Sequence, residues 1–205
     1  SLLCITFHET CHGLVAYRLG DPTAKRMGRL SLNPLRHVDI MGLLMMALFR
    51  FGWAKPVPVD MRNFKNPKTG MAITALAGPV SNVVLAYLAV LLYSVGAFFY
   101  QRSGGWLLYG LLVFFMYVEI ISAGLAVFNV FPIPPLDGSK VLFAFLPDRT
   151  YEKLMRYERY GMTLLMVLLV TGAIDTPLGA MRLWLLRGLE ACGTWPYDLL
   201  AAILN

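Results

Sequence analysis

Long apolar segments separated by short polar ones run along most of the chain. A membrane-spanning helix needs roughly 20 apolar residues, and the pattern predicts about five such helices. They cover residues 2–19, 71–100, 105–131, 157–174 and 178–190, the last extended by 197–204. The pattern thus predicts a polytopic α-helical membrane protein, with residues 1–205 forming a single membrane-embedded domain. The first segment starts without a polar flank, so we expect this helix to lack an N-terminal piece.

Residues 20–70 break this pattern. The pieces "GRLSL" (28–32) and "KPVPV" (55–59) predict short strands, and two prolines confine the second to a sheet edge. Between them, "MGLLMMALF" (41–49) is apolar but too short to span a bilayer, which is typical of a re-entrant or interfacial segment. We therefore expect a small membrane-associated region of β-structure and loops here.

Composition agrees with a membrane protein and disfavours an ordinary soluble enzyme. Hydrophobic residues make up 58% of the chain and charged residues 15%, with a mean hydropathy of +0.61; a soluble domain is nearer a quarter charged. The net charge of +6 does not indicate a nucleic-acid partner, because Lys and Arg collect in the cytoplasmic loops of membrane proteins. Cys4, Cys11 and Cys192 are too few and too scattered for a disulfide framework or a Cys-rich metal site.

The distribution of Lys and Arg predicts the orientation of the helices. The 18–70 connection carries ten of these residues and the 139–159 connection carries five. The 101–104 turn carries one and the 175–180 turn carries none. By the positive-inside rule the two rich connections lie on the cytoplasmic side.

Residues 8–12, "HETCH", carry the most specific chemical pattern. His8 and His12 lie about 40° apart around a helix of 3.6 residues per turn, so both imidazoles can reach one Zn²⁺. Glu9 flanks this face, where it can act as a general base toward water without being a ligand. Three ionisable residues within one turn of an intramembrane helix are costly and, as a rule, functional.

Zinc hydrolases usually need a third protein ligand, and four residues are candidates: Asp137, Glu119, His37 and Asp39. Asp137 follows a segment with three prolines in "FNVFPIPPLDG" (128–138). Non-helical backbone at membrane depth is tolerated where it is buried in protein or lines a water-filled cavity. The local pattern fits equally well a ligand presented into such a cavity and an Asp in a plain turn before Gly138.

Depth in the membrane favours Asp137 as the ligand. His12 is six residues from Arg18, at the cytoplasmic end of its helix, and Asp137 is three residues from Lys140, also at a cytoplasmic end. The predicted topology therefore brings the two motifs to a similar depth.

With these motifs in place, the chain resembles the site-2 protease family of intramembrane zinc metalloproteases. The resemblance rests on HExxH at 8–12, "AGPVSN" at 77–82 and "FNVFPIPPLDG" at 128–138, with weaker likeness at "LNPLRHVD" (32–39) and "GWAKPVPV" (52–59). It extends to about residue 175, and it indicates a minimal core without a PDZ or appended regulatory domain.

The resemblance implies a role for each matched residue. His8, His12 and Asp137 would bind one Zn²⁺ per chain, Glu9 would be the catalytic acid/base, and Asn129 would stabilise the oxyanion. The implied function is a zinc-dependent endopeptidase that hydrolyses peptide bonds within or near transmembrane segments of other proteins. Its partners would be such a substrate and the lipid bilayer, without nucleic acid, and its active site would lie near the cytoplasmic face of a prokaryotic cell membrane.

One alternative function belongs to another class: a transporter that binds an ion through intramembrane His, Glu and Asp. A general base beside two metal ligands favours the enzyme, because a site that only passes an ion across the membrane does not need a general base. For Asn82, within the second motif, a structural role and a role in substrate gating stay open. We also expect the least helical segments, 131–136 and 55–59, to hold an unwound substrate through main-chain hydrogen bonds.

Overall fold

The protein is described by a computed structural model covering residues 1–49 and 54–204, and within these ranges it contains helices but no β-strand. The α-helices of the described residues are α1 (Leu2–Arg18), α2 (Thr23–Arg26), α3 (Ile40–Phe49), α4 (Pro67–Ser103), α5 (Trp106–Val130), α6 (Asp137–Ala144), α7 (Asp148–Tyr157), α8 (Gly161–Val170), α9 (Asp175–Gly193) and α10 (Trp195–Leu204). Single 3₁₀ turns occur at Pro34–Arg36, Met61–Asn63 and Glu158–Tyr160.

Among the described residues, two helices are long and apolar enough to cross a membrane: α4, with 37 residues, and α5, with 25. In the same part of the chain, residues 148–170 and 175–204 give a third span if they count together, and these two parts are bent by 86° at their junction. Two or three spans among the described residues support a helical membrane protein, but the prediction of about five spans is not confirmed.

The last two predicted spans are not confirmed as separate spans, for local reasons. A 3₁₀ turn at Glu158–Tyr160 precedes α8, and Gly172, at φ +70°, follows it. Helix α8 is therefore 10 residues long, about 15 Å, or half the hydrocarbon thickness. Helix α9 has 19 residues, but Arg182 and Arg187 interrupt its apolar surface.

The two predicted strands in the 20–70 region are wrong. Segments 28–32 and 55–59 contain no strand, and a side chain joins them: the Arg29 guanidinium donates to the carbonyls of Lys55 and Pro56 at 2.7 and 3.2 Å. A β-ladder needs main-chain donors, and two of the five residues in the second segment are prolines, which have none. Gly52 and Trp53, at the start of the "GWAKPVPV" piece, lie outside the described residues.

The apolar stretch at 41–49 forms most of helix α3. Its 10 residues extend about 15 Å, so it is too short to span a bilayer, as predicted. Asp39 lies just before the helix and accepts the N–H of Gly42 at 2.8 Å. Its carboxylate therefore caps a helix instead of approaching the histidines.

Helix α4 is central to the fold and packs against α1, α5, α6, α9 and α10. Small buried side chains, among them Ala86, Ala89 and Ala123, lie where it meets its neighbours. Small residues let helix backbones approach closely, which is how helices associate in lipid. This packing brings α1 and the start of α6 onto one face of α4, where the candidate site lies.

Candidate metal centre

Helix α1 presents two buried histidines on one face. His8 and His12 are 6% and 8% exposed, and their Nε2 atoms lie 2.9 Å apart. This proximity follows from their i, i+4 spacing, which stacks side chains one turn apart.

The first residue of α6 completes the cluster. Asp137 is 8% exposed, and its Oδ2 lies 3.2 Å from the Nε2 atoms of both His8 and His12. The next residue must be glycine, because any Cβ at Gly138 would overlap the carbonyl group of Val130. This contact lets α6 start directly against the end of α5 and aims Asp137 at α1.

The three side chains fit a zinc ion. Tetrahedral Zn²⁺ with nitrogen and oxygen ligands at about 2.0–2.1 Å holds neighbouring ligand atoms roughly 3.3 Å apart, and the atoms here are 2.9–3.2 Å apart. The hydrogen-bond chemistry agrees. His12 Nδ1 lies 2.7 Å from the Thr74 carbonyl, which can only accept, so Nδ1 carries a proton and the neutral imidazole offers the lone pair of Nε2. A lone pair that faces a carboxylate and a second imidazole is suited to share a cation with them.

Helix α4 forms the back wall of the cluster. Thr74, Gly78 and Asn82 follow each other at four-residue intervals on one face. Thr74 contacts His12, and the Asn82 amide lies 3.1 Å from Nδ1 of His8. Between them, a Cβ at Gly78 would overlap His12 and come within 2.5 Å of His8. The missing side chain of Gly78 therefore makes room for the imidazoles.

Glu9 is half-buried beside the cluster and does not belong to it. Its Oε2 accepts the backbone N–H of Val57 at 2.9 Å. Glu9 and Val57 line a cavity of about 280 Å³ together with His8, His12 and Asp137. The carboxylate therefore faces the same space as the three candidate ligands, with one oxygen held by the loop.

The position of Val57 depends on a buried carboxylate at the end of α1. Asp21 is fully buried and accepts hydrogen bonds from the Asp60 N–H at 2.7 Å and the Asn63 amide at 2.8 Å. Burial alone would raise the pKa of Asp21, but these bonds and those from Thr23 hold it below its ordinary value. Asp21 thus fastens the loop after Val57 to the helix that carries Glu9.

Asn129, near the end of α5, also reaches the cleft. It lines the 280 Å³ cavity and a second one of about 210 Å³ on the other side of His8 and Glu9. Its Nδ2 donates to the carbonyl of Leu125 at 3.0 Å, and an amide nitrogen has a second hydrogen to offer. The 210 Å³ cavity is mainly apolar, with Ile5, Phe128 and Met162 among its lining residues.

The other candidates for a third ligand lie elsewhere. His37 is buried, and its Nε2 lies 2.8 Å from the Ser31 carbonyl. Glu119 is buried in α5. The neighbouring Val118 packs where α5 meets α1 and α4. Among the described residues, only the His8, His12 and Asp137 group has ligand atoms close enough to share a metal ion.

The sequence did not predict a role at the site for three residues: Val57, Thr74 and Gly78. Val57 and Thr74 act through backbone atoms, and Gly78 acts through the lack of a side chain, so residue type gives little indication of either role. A fourth, Lys140, lies 3.9 Å from the second oxygen of Asp137. Its i, i+3 spacing from Asp137 could have indicated this contact.

Comparison with known proteins identifies a peptidase family and relatives named as zinc metalloproteases. The model of peptidase family M50 matches residues 98–172. YwhC of Bacillus subtilis, named as a zinc metalloprotease, is 38% identical over 187 residues, covering 89% of this chain and 81% of that protein. Rip2 of Mycolicibacterium smegmatis, named likewise, is 30% identical over 179 residues, covering 85% and 66%. No solved structure matches the chain.

Proposed function

The chain belongs to peptidase family M50 and is a metalloprotease, and from this premise we propose that it cuts peptide bonds within or near transmembrane segments of other proteins. The observation that carries the proposal is the convergence of His8, His12 and Asp137 at 2.9–3.2 Å beside the Glu9 carboxylate. The family assignment decides against the ion-transporter alternative.

In the proposed site, His8 and His12 through Nε2 and Asp137 through Oδ2 would hold one Zn²⁺ per chain. When bound, zinc supplies Lewis-acid chemistry, polarising a peptide carbonyl and lowering the pKa of water to near neutrality. The Val57 N–H neutralises part of the charge on Oε2 of Glu9. The other carboxylate oxygen of Glu9, Oε1, takes the proton of the attacking water and passes it to the leaving amine.

Asn129 is proposed to stabilise the charge that develops on the scissile carbonyl oxygen. Its second amide hydrogen is not used by the bond to Leu125, and its side chain borders both cavities beside His8. Loss of one such donor typically lowers kcat about 10²–10³-fold. Asn129→Ala should therefore lose activity while keeping its zinc, and an unchanged kcat would exclude this role.

The substrate has to be unwound, because the carbonyls of a helix are hydrogen-bonded and shielded. Segment 55–59 offers such a peptide few main-chain donors: the N–H groups of Lys55 and Val57 already donate to His37 and Glu9, and Pro56 and Pro58 have none. The apolar 210 Å³ cavity suits a large hydrophobic side chain next to the cleaved bond. We therefore propose a transmembrane substrate recognised through side chains and locally unable to stay helical.

The site is proposed to lie near the cytoplasmic face of a cell membrane. The basis is the excess of Lys and Arg in the 18–70 and 139–159 connections, which flank α1 and α6. Cysteines introduced at 62–68 should then resist labelling by an impermeant reagent added outside spheroplasts. Labelling from outside would reverse the orientation.

The test of the proposed activity uses purified, detergent-solubilised protein and two model transmembrane peptides, a continuous Leu-rich helix and a variant carrying Gly and Pro near one end. We expect cleavage of the broken helix to be faster and to stop with the zinc chelator phenanthroline. Equal cleavage of both peptides would contradict the unwinding argument. Activity that persists with the chelator would contradict a zinc-dependent enzyme.

A further inference from the structure

Asn82 contacts the ring nitrogen of His8 that faces away from the candidate metal position. His8 directs Nε2 to Asp137, at 3.2 Å, and Nδ1 to the Asn82 amide, at 3.1 Å. Asn82 is fully buried, so water does not compensate a poor pairing at this contact.

The chemistry of a neutral imidazole determines what Asn82 has to provide. One ring nitrogen carries a proton and the other a lone pair. If Nε2 of His8 offers its lone pair to a metal, Nδ1 carries the proton and needs an acceptor. The amide of Asn82 has such an acceptor in Oδ1, which has no other partner among the described residues. A half-turn of the amide group places Oδ1 at the Nδ1 contact.

The opposite assignment is incompatible with metal binding. If the amide nitrogen of Asn82 donated to a bare Nδ1, the proton of His8 would sit on Nε2. That proton would point into the space shared with His12 Nε2, at 2.9 Å, and Asp137 Oδ2, at 3.2 Å. It would occupy the position where a metal ion binds.

The second histidine provides an internal comparison. His12 Nδ1 faces the carbonyl of Thr74, an acceptor that leaves only one tautomer. Thr74 and Asn82 are eight residues apart on the same face of α4, on either side of Gly78. One helix therefore holds both histidines at their outer nitrogens, one by a backbone oxygen and one by a side chain.

We propose that Asn82 is a positioning residue of the metal site: its amide oxygen accepts the Nδ1–H of His8 and so fixes the tautomer that leaves Nε2 for the metal. This inference rests on the proposed zinc site. It assigns the asparagine of the "AGPVSN" motif to ligand orientation, in place of substrate gating or simple helix packing.

The test compares three variants by zinc affinity, measured by competition with a chromophoric chelator. Asn82→Leu removes donor and acceptor at similar size and should weaken zinc binding roughly 10–100-fold, the usual cost of losing a group that orients a ligand. Asn82→Asp keeps only acceptors and should bind zinc at least as tightly as the wild type. Ser81→Ala, which removes the neighbouring buried hydroxyl bonded to the Gly78 carbonyl, should have no effect. If Asn82→Asp loses zinc as Asn82→Leu does, the inference is wrong.

A spectroscopic readout does not depend on the folding of the Asn82 variants. The chain has three histidines, so ¹⁵N-histidine spectra of the metal-free wild type above pH 8 are simple, and His37→Gln assigns one set of signals. We expect the proton of His8 on Nδ1. A proton on Nε2 would overturn the inference. Wild-type protein that binds no zinc would contradict the proposed function itself, whereas equal affinity of wild type and Asn82→Leu would contradict only the role of Asn82.

Discussion

The backbone N–H of Val57 donates a hydrogen bond to Oε2 of Glu9 at 2.9 Å, joining residues 48 positions apart. The bond ties segment 54–59 to the helix that carries HExxH. It also leaves one oxygen of Glu9 facing the cavity shared with His8 and Asp137. The loop thus orients the proposed general base.

Removing this single donor should reduce activity without removing the metal. Val57→Pro deletes the N–H, and a hydrogen bond to a charged group is worth about 1.5–3 kcal/mol, so we expect kcat to fall roughly tenfold or more. Val57→Ala is the matched control, because it keeps the N–H and loses only side-chain packing. Equal kcat values for the two variants, with zinc content unchanged, would show that the bond does not orient Glu9.

A methyl group added at Gly78 should disturb zinc binding from the far side of the imidazoles. The new Cβ would overlap His12 and crowd His8, and we expect zinc affinity to fall roughly tenfold or more, as for other losses of ligand support. Gly110→Ala is the control, since nothing lies within 4 Å of a Cβ there. Chelator competition measures both; wild-type affinity in Gly78→Ala would show that the histidines have room to move.

The cluster of His8, His12 and Asp137 was predictable from sequence, and the contacts of Val57 and Thr74 with it were not. Helix geometry alone places His8 and His12 together, and the proline-broken segment with its charge-derived depth indicated Asp137. The Val57 and Thr74 contacts join backbone atoms to side chains far away in sequence, which no residue pattern encodes. The strands failed for a related reason, because Arg29 satisfies carbonyls that a β-ladder would have used.

The choice of third ligand can be tested by comparing three variants. Asp137→Ala removes an atom 3.2 Å from both histidine nitrogens, and zinc affinity should fall by more than roughly 100-fold, beyond the usual cost of an outer partner. His37→Ala and Glu119→Ala should change it little, because neither belongs to the candidate group of His8, His12 and Asp137. Elemental analysis measures the zinc content of the purified variants. A larger loss of zinc in His37→Ala than in Asp137→Ala would identify His37 as the third ligand.

The buried carboxylate of Asp21 should make stability depend on pH. Its hydrogen bonds lower its pKa in the folded protein, so its contribution is fully present above the unfolded pKa of about 3.9 and is lost as pH falls through the lower folded value. Asp21→Asn should therefore lower the Tm at pH 7, and the difference from wild type should shrink below about pH 4. A Tm difference that stays constant from pH 7 to pH 3 would contradict this account.

The most direct test of the zinc-protease site is the zinc content and cleavage rate of Glu9→Gln beside the wild type. The amide keeps the shape of Glu9 but cannot take the proton of the attacking water, and Glu9 is not one of the three converging ligands. The expected result is one zinc per chain in both proteins, with cleavage of the Gly/Pro-containing transmembrane peptide by the wild type alone. Cleavage by Glu9→Gln at a near-normal rate, or folded wild-type protein without zinc, would contradict it.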